Sequence, residues 1–346
     1  MDTFCVLPWY SKEISQTITP CCLLGPGYDL EQIKNDLLSG IQSPSCDRCW
    51  KIEANGQQSR RQQENAFLDY KLNRDLSKIQ QDCEQGLTTT ILYQITTSNL
   101  CNQACVTCNS MFSSKWAEVE RKMGLTPKKL FLIHTEHLDI DYKNAQRIEL
   151  LGGEPLFDPN TVELFNQLLK HNNTDCMISL VTNGSIELSP LLKDLCSQFT
   201  NLNICVSIDG IESVFEYMRW PTNWHTVIEN LAQYKQVCKN LSVSYTISSV
   251  NALYYDQTVA WFEAQQLPYN HNMVYTPSWL SLATAPVQLK QRLIANNNFV
   301  SKFSQINSQE QTLDQYWHKL QQQDSAKKIS LDKYLPELAR VIFDNQ

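Results

Sequence analysis

Asn99-Leu-Cys-Asn-Gln-Ala-Cys-Val-Thr-Cys-Asn109 places three thiols, Cys101, Cys105 and Cys108, in one short loop with gaps of three and two residues. A cubane iron–sulfur cluster is ordinarily closed by one cysteine on each of its four irons, so a loop supplying three leaves one iron open to another ligand. A structural zinc loop, or reduced cysteines that simply cluster, uses the same residue types. The surroundings of the loop decide between these.

Outward from the loop, apolar and β-branched segments recur at Ile91-Leu-Tyr-Gln-Ile95, Arg147-Ile-Glu-Leu-Leu151, Met177-Ile-Ser-Leu-Val181, Asn203-Ile-Cys-Val-Ser207, Val243-Ser-Tyr-Thr-Ile247 and Asn272-Met-Val-Tyr-Thr276. Each reads as a strand. Between them, residues 160–170, 189–199, 224–238 and 255–266 repeat apolar side chains at helical spacing. Strand–helix alternation predicts parallel strands joined by crossover helices. Six such units are too few to close an eight-stranded barrel. The expected fold is therefore α/β, a partial (β/α)6 TIM-like barrel with its site at the C-terminal strand ends. The polar motifs obey that rule, since Cys101 to Cys108, Gly152 to Pro155, Thr182 to Ser185 and Ser207 to Gly210 each follow a predicted strand.

With the polar lead-in Thr96-Thr-Ser-Asn-Leu100 and Asn102, the cysteine loop resembles that of radical S-adenosylmethionine (radical SAM) enzymes. Gly152-Gly-Glu-Pro155 resembles that family's GGEP signature. Its glycines allow close backbone approach, and Glu154 offers a carboxylate to the SAM ammonium. Thr182-Asn-Gly-Ser185 and Ser207-Ile-Asp-Gly210 resemble the family's later strand-end motifs, and Arg219 resembles an arginine that clamps a carboxylate. The resemblance implies a [4Fe–4S] cluster on Cys101, Cys105 and Cys108. It implies SAM held by Gly152, Gly153, Glu154, Pro155, Asn183, Ser207, Asp209 and Arg219. In the family, reductive cleavage of SAM yields a 5′-deoxyadenosyl radical that abstracts hydrogen from a substrate. An external electron donor such as flavodoxin or ferredoxin is implied as well. One departure stands out: Thr107 occupies a position often aromatic in the family, leaving Met111, Phe112, Tyr93 and Tyr275 as candidates for an adenine wall.

Five further cysteines precede the barrel, in Phe4-Cys-Val-Leu-Pro-Trp9, Pro20-Cys-Cys22 and Cys46-Asp-Arg-Cys-Trp50. Tetrahedral Cys₄ zinc suits this spacing as well as a cluster does. Together with Glu53, Gly56, Ser59 and Arg60, the region resembles twitch-type proteins, relatives of the SPASM group that carry an auxiliary iron–sulfur cluster. That implies an auxiliary [4Fe–4S] cluster on Cys5, Cys21, Cys46 and Cys49, with Cys22 competing with Cys21. The same module holds a short helix beginning at the N-cap Asp29 and stopping at Gly40. The expected organisation is residues 1–62 as the cysteine-rich auxiliary-cluster module and 63–88 as a linker helix. The barrel then spans 89–285, and a peripheral C-terminal helical cap spans 286–346.

The net charge of −7 argues against a general nucleic-acid surface. No apolar run reaches the roughly 20 residues of a membrane span, and the start lacks a signal-peptide pattern, so a cytoplasmic protein is expected. Thirteen cysteines in a reducing compartment point to metal or redox chemistry, with Cys83, Cys176, Cys196, Cys205 and Cys238 reading as small buried hydrophobes. His134, His137, His171 and His271 lack metal spacing and read as core or surface. By analogy with SPASM and twitch relatives, the expected substrate is a peptide or protein side chain, modified by oxidation or cross-linking. The alternatives are radical chemistry on a small molecule such as a sugar, nucleoside or cofactor precursor, and a non-catalytic metal-binding partner protein.

Overall fold

A computed structural model describes residues 3–54, 56, 58–296, 299–304 and 310–344. Among them one mixed sheet carries eight strands: β1 (Ser11–Ile14), β2 (Ile18–Thr19), β3 (Leu92–Thr96), β4 (Arg147–Leu151), β5 (Met177–Thr182), β6 (Leu202–Ser207), β7 (Asn240–Ile247) and β8 (Tyr269–Met273). Their order is β2-β1-β3-β4-β5-β6-β7-β8, and every neighbouring pair is parallel except β1 with β2.

The two faces of the sheet differ. In β5 to β7 one face carries Ile178, Leu180, Leu202, Ile204, Val206, Val243, Tyr245 and Ile247, all buried in the main core beside Leu164, Phe165 and Leu168 of helix Pro159–Lys170. Burying each such side chain contributes about 1.5–3 kcal/mol. The other face is polar and half-buried, with Ser179 opposite Asn203, Cys205 opposite Ser242 and Ser207 opposite Ser244. Helices Pro159–Lys170, Pro190–Ser197 and Trp224–Val237 begin on side-chain caps from Asp158, Ser189 and Asn223.

Three departures from the sequence reading concern the ends. The last strand is Tyr269–Met273, three residues before the expected 272–276. The apolar pair Val274-Tyr275 suggests the later frame, but Pro277 has no amide to continue a ladder, and Tyr275 and Thr276 are exposed. The N-terminal region adds β1 and β2 to the sheet, and within that region Arg61 pairs with Glu53 at 2.8 Å and donates to Phe4 O at 2.7 Å. Helix Arg60–Ala66 runs across residue 62, and the following segment divides into Phe67–Lys71 and helix Leu76–Glu84. The C-terminal helices are not peripheral, because Leu313, Tyr316, Leu320, Leu331, Leu338 and Ile342 belong to the main core.

Candidate functional site

The cysteine loop is fastened from three directions. Ser114 Oγ accepts from Cys101 N at 3.0 Å and donates to Cys101 O at 3.1 Å. Trp116 Nε1, one turn into helix Ser114–Lys122, donates to Cys105 O at 2.7 Å. Across the loop, Ala104 N and Val106 N donate to Trp220 O and Met218 O at 2.7 and 2.8 Å. The fully buried Gln103 lies between two thiols, its Oε1 accepting from Cys105 Sγ at 3.3 Å and its Nε2 donating to Thr222 Oγ1 at 2.7 Å.

The glycine pair serves as the bed of this loop. Gly153 N donates to Ser98 O at 3.1 Å and Glu154 N to Leu100 O at 2.7 Å. A Cβ on Gly153 would lie 2.1 Å from Leu100 O, and one on Gly152, where φ is +134°, would lie 2.8 Å from Ser98 O. Only a chain without a side chain fits there. Glu154, 1% exposed, directs both carboxylate oxygens to the protein: Oε1 accepts from Thr182 Oγ1 and Leu156 N, and Oε2 from Asn183 N at 2.6 Å. Burial raises its pKa to about 7 in spite of these bonds. Pro155 opens the turn that follows and is buried.

Asn183 Nδ2 reaches Asn102 Oδ1 at 2.9 Å and lies 3.8 Å from Cys101 Sγ. Arg219 pairs with the fully buried Asp209 at 2.9 Å, and its Nη1 lies 3.9 Å from Cys105 Sγ. Its buried Nε has no partner among the described residues. Together Cys101, Cys105, Cys108, Gly152, Gly153, Asn183, Ser207 and Arg219 line one cavity of about 720 Å³, a size that accommodates a cofactor. Glu154, Pro155 and Asp209 stand behind its wall. Of the candidate adenine residues, Phe112 lines the cavity, whereas Met111 and Tyr275 do not. Tyr93 donates to Thr90 O at the far end of β3, too distant in the fold to serve.

All three thiols are free, and burial raises their pKa values, for Cys108 to about 12 and for Cys105 further. Such thiols are protonated on their own, and coordination to a cation removes the proton. Among the described residues no three His, Cys, Asp or Glu side chains converge as ligands of a single ion. A cubane instead takes each thiolate on a different iron. The three thiols, Cys101 buried and Cys105 and Cys108 half-buried, with the glycine bed and the unpartnered Arg219 Nε therefore fit a cluster with a bound organic ligand.

Sequence reasoning missed the tail's part in this site. Helix Leu313–Lys327 packs on helix Ser114–Lys122, bringing Gln323 into the cavity wall. Lys327, 3% exposed, lies 4.6 Å over the Trp116 ring and donates to Gln323 Oε1 at 3.1 Å. Burial lowers its pKa to about 8, while the charges of Cys105, Asp324 and Cys108 oppose the shift. The Gln-rich tail carries no motif that announces this. Trp279, Thr276 and Pro277, also in the wall, lie beyond the motifs as well.

In the N-terminal region, Cys5, Cys21, Cys46 and Cys49 line a second, small cavity with Leu7, Ile33 and Arg61. Burial raises the Cys5 pKa strongly and that of Cys46 to about 11. Cys22 is not among the residues lining it; its thiol lies beside that of Cys21 and accepts from Arg60 Nη1 at 3.1 Å, while Arg60 Nη2 donates to Gln94 Oε1 at 2.8 Å. Cys83, Cys176 and Cys196 are buried and Cys205 and Cys238 half-buried. His134, His137 and His171 are exposed, and His271 lies in an aromatic cluster with Tyr255 and Phe299.

No protein-family profile and no curated protein matches the chain. Among solved structures it is similar to anSMEcpe with bound AdoMet, at TM-score 0.43 and 18% identity over 59% of this chain and 58% of that one. It is also similar to Streptococcus suis SuiB bound to S-adenosylmethionine, at TM-score 0.39 and 10% identity over 80% and 63%. A third is the radical S-adenosylmethionine methyltransferase TsrM from Kitasatospora setae, at TM-score 0.33 and 10% identity over 53% and 35%. The chain thus spans less than two thirds of each of these structures.

Proposed function

We propose that the chain is a radical SAM enzyme whose eight-stranded sheet curves into a partial barrel around the cavity. The observation that carries this reading is the convergence of three free thiols, a side-chain-free glycine bed, Asn183, Ser207 and Arg219 on one cavity at the C-terminal ends of β3 to β6. Cys101, Cys105 and Cys108 hold a [4Fe–4S] cluster. When bound, that cluster supplies the electron that cleaves SAM to a 5′-deoxyadenosyl radical and methionine.

The chain's own residues hold and orient. Arg219, already neutralised on one side by Asp209, turns its remaining guanidinium donors to the carboxylate of the methionyl group. Asn183 and Ser207 supply neutral hydrogen bonds. Glu154 acts chiefly by tying β4 to β5, because its oxygens are engaged by Thr182, Asn183 and Leu156. Phe112 and Leu125, 55% and 54% exposed, line the cavity mouth. Apolar side chains open to solvent there suit a substrate larger than the cavity, so a peptide or protein side chain is the substrate class we favour over a small molecule. In the second cavity, Cys5, Cys21, Cys46 and Cys49 hold an auxiliary cluster, and Cys22 is not a ligand.

The test is iron and sulfide content after anaerobic reconstitution, with 5′-deoxyadenosine assayed alongside. About eight irons per chain in the wild type, falling to about four in the Cys101→Ala/Cys105→Ala/Cys108→Ala variant with cleavage lost, is the expected result. Cleavage persisting in that variant at the wild-type rate refutes the assignment. Four irons falling to none, with zinc retained, makes the N-terminal site a structural zinc centre.

A further inference from the structure

Helix Ser114–Lys122 presents two different faces. Its inner face, with Trp116, Ala117 and Val119, is buried, and Trp116 packs with Cys108. Ser114 at its start is bonded to both backbone groups of Cys101. The outer face and the loop after it expose Arg121, Lys122, Lys128 and Lys129, and Lys328 of the tail lies beside Lys122 along a shared depression. None of these five side chains makes an ion pair or hydrogen bond among the described residues. Of the two local carboxylates, Glu118, which lines the same depression, pairs with Lys115 at 2.8 Å, and Glu120 accepts from Ser110 N at 3.0 Å and keeps its charge, against five cations.

This concentration of unpaired positive charge is anomalous on a chain of net charge −7. It also has a definite location. Arg121, Lys128 and Lys129 border a depression of about 420 Å³ whose floor includes Asn99 and Ser114. Asn99 and Ser114 are respectively two residues from Cys101 and hydrogen-bonded to it, so this surface is the outside of the wall that holds the thiols.

Resting on the radical SAM reading above, we propose that this basic face is the docking site of an acidic one-electron-carrier protein. The carrier loses one electron, and the iron–sulfur centre held by Cys101, Cys105 and Cys108 gains it, with no bond made or broken. A negatively charged carrier is repelled by the chain as a whole and attracted here, so the patch steers it to the outer side of the wall that holds Cys101. The large cavity, lined by Phe112, Met123 and Leu125, adjoins the patch, since Met123 also lines the depression shared by Lys122 and Lys328.

The test compares the reconstituted wild type with two triple variants. Arg121→Glu/Lys128→Glu/Lys129→Glu reverses the patch. Lys78→Glu/Lys143→Glu/Lys170→Glu makes the same change of net charge at exposed sites elsewhere. Binding of an acidic flavodoxin is titrated at low and high salt, and 5′-deoxyadenosine is assayed with reduced flavodoxin and, separately, with dithionite. The patch variant is expected to lose roughly tenfold or more in flavodoxin affinity at low salt and in flavodoxin-driven cleavage. Its dithionite-driven cleavage stays unchanged, and the control variant stays within about twofold in all assays. Equal losses in the two variants, or none in the patch variant, overturn the docking site while leaving the enzyme reading intact. Absence of dithionite-driven cleavage in the wild type overturns the enzyme reading and the carrier together.

Discussion

Gly153→Ala tests the glycine bed without any cofactor present. The new Cβ would begin 2.1 Å from Leu100 O, where contacts below 3.0 Å are not tolerated, so the two backbones must separate by about 0.9 Å. Neither strand of this contact yields easily. Leu100 O is the acceptor for Glu154 N at 2.7 Å, and Ser98 O for Gly153 N at 3.1 Å. Forcing extra volume into a packed site costs about 1–3 kcal/mol. Losing one backbone hydrogen bond adds about 1 kcal/mol.

The sum is about 3 kcal/mol, which for a chain of this length lowers Tm by roughly 5 °C. The assay is urea or thermal unfolding of the metal-free protein, with two comparison variants. Gly184→Ala meets a side-chain methyl of Val206 at 2.9 Å and has φ +77°, so an intermediate loss is expected. Gly25→Ala meets nothing within 4 Å and should stay within about 0.5 kcal/mol of wild type. If Gly153→Ala is as stable as Gly25→Ala, the glycine pair does not position the cysteine loop.

Replacing Lys327 by Met removes a buried positive charge beside Cys105 and Cys108, which should shift the reduction potential of the reconstituted centre by about 60 mV to the negative, a tenfold change for one electron. Lys327→Arg should restore it, and an unchanged potential in the Met variant, read by spectroscopic titration, rejects the electrostatic role. Burial holds the pKa of Asp324 at about 6, above its ordinary 3.8, despite hydrogen bonds from Tyr217 and Leu331 N. The folded state therefore keeps this proton longer than the unfolded chain, and the resulting stability is full below pH 4 and lost as pH rises through 6. Relative to Asp324→Asn, the wild type should lose up to about 3 kcal/mol between pH 4 and pH 7, and parallel stability curves rule this out. Cys49→Ala should lose the N-terminal cluster's iron while Cys22→Ala keeps it, and equal iron loss in both variants places Cys22 among the ligands.

What the sequence made legible follows from the range over which each signal acts. Apolar residues at helical spacing are a local signal, and helices Pro159–Lys170, Pro190–Ser197 and Trp224–Val237 appear where that pattern puts them. The four strand-end motifs are short strings, and parallel topology alone carries them to the same edge of the sheet. Residue roles within those strings were less legible. The family resemblance implies that Glu154 reaches a ligand, and the fold also engages its carboxylate with Thr182 and Asn183, partners 28 and 29 residues away that no local pattern discloses. Tyr93 and Tyr275 look equivalent as apolar walls, and only the fold puts one at the wrong end of a strand and the other in solvent.

The tail is the clearest case of tertiary override. Residues 313–327 have the composition of a solvated helix, and polar composition normally signals a surface element. Yet Gln323, Asp324 and Lys327 are all buried, each because a distant partner receives it: the cavity wall for Gln323, Tyr217 for Asp324 and the Trp116 ring for Lys327. Polar side chains persist in a packed wall only where something repays their desolvation. Negative charge on Cys105, Asp324 and Cys108 opposes the loss of the Lys327 proton that burial favours, which ties the tail to the thiols it covers. A helix whose buried polar residues are matched to the cysteine loop, and whose Leu313, Tyr316 and Leu320 sit in the main core, is part of the site's construction as much as of the fold's.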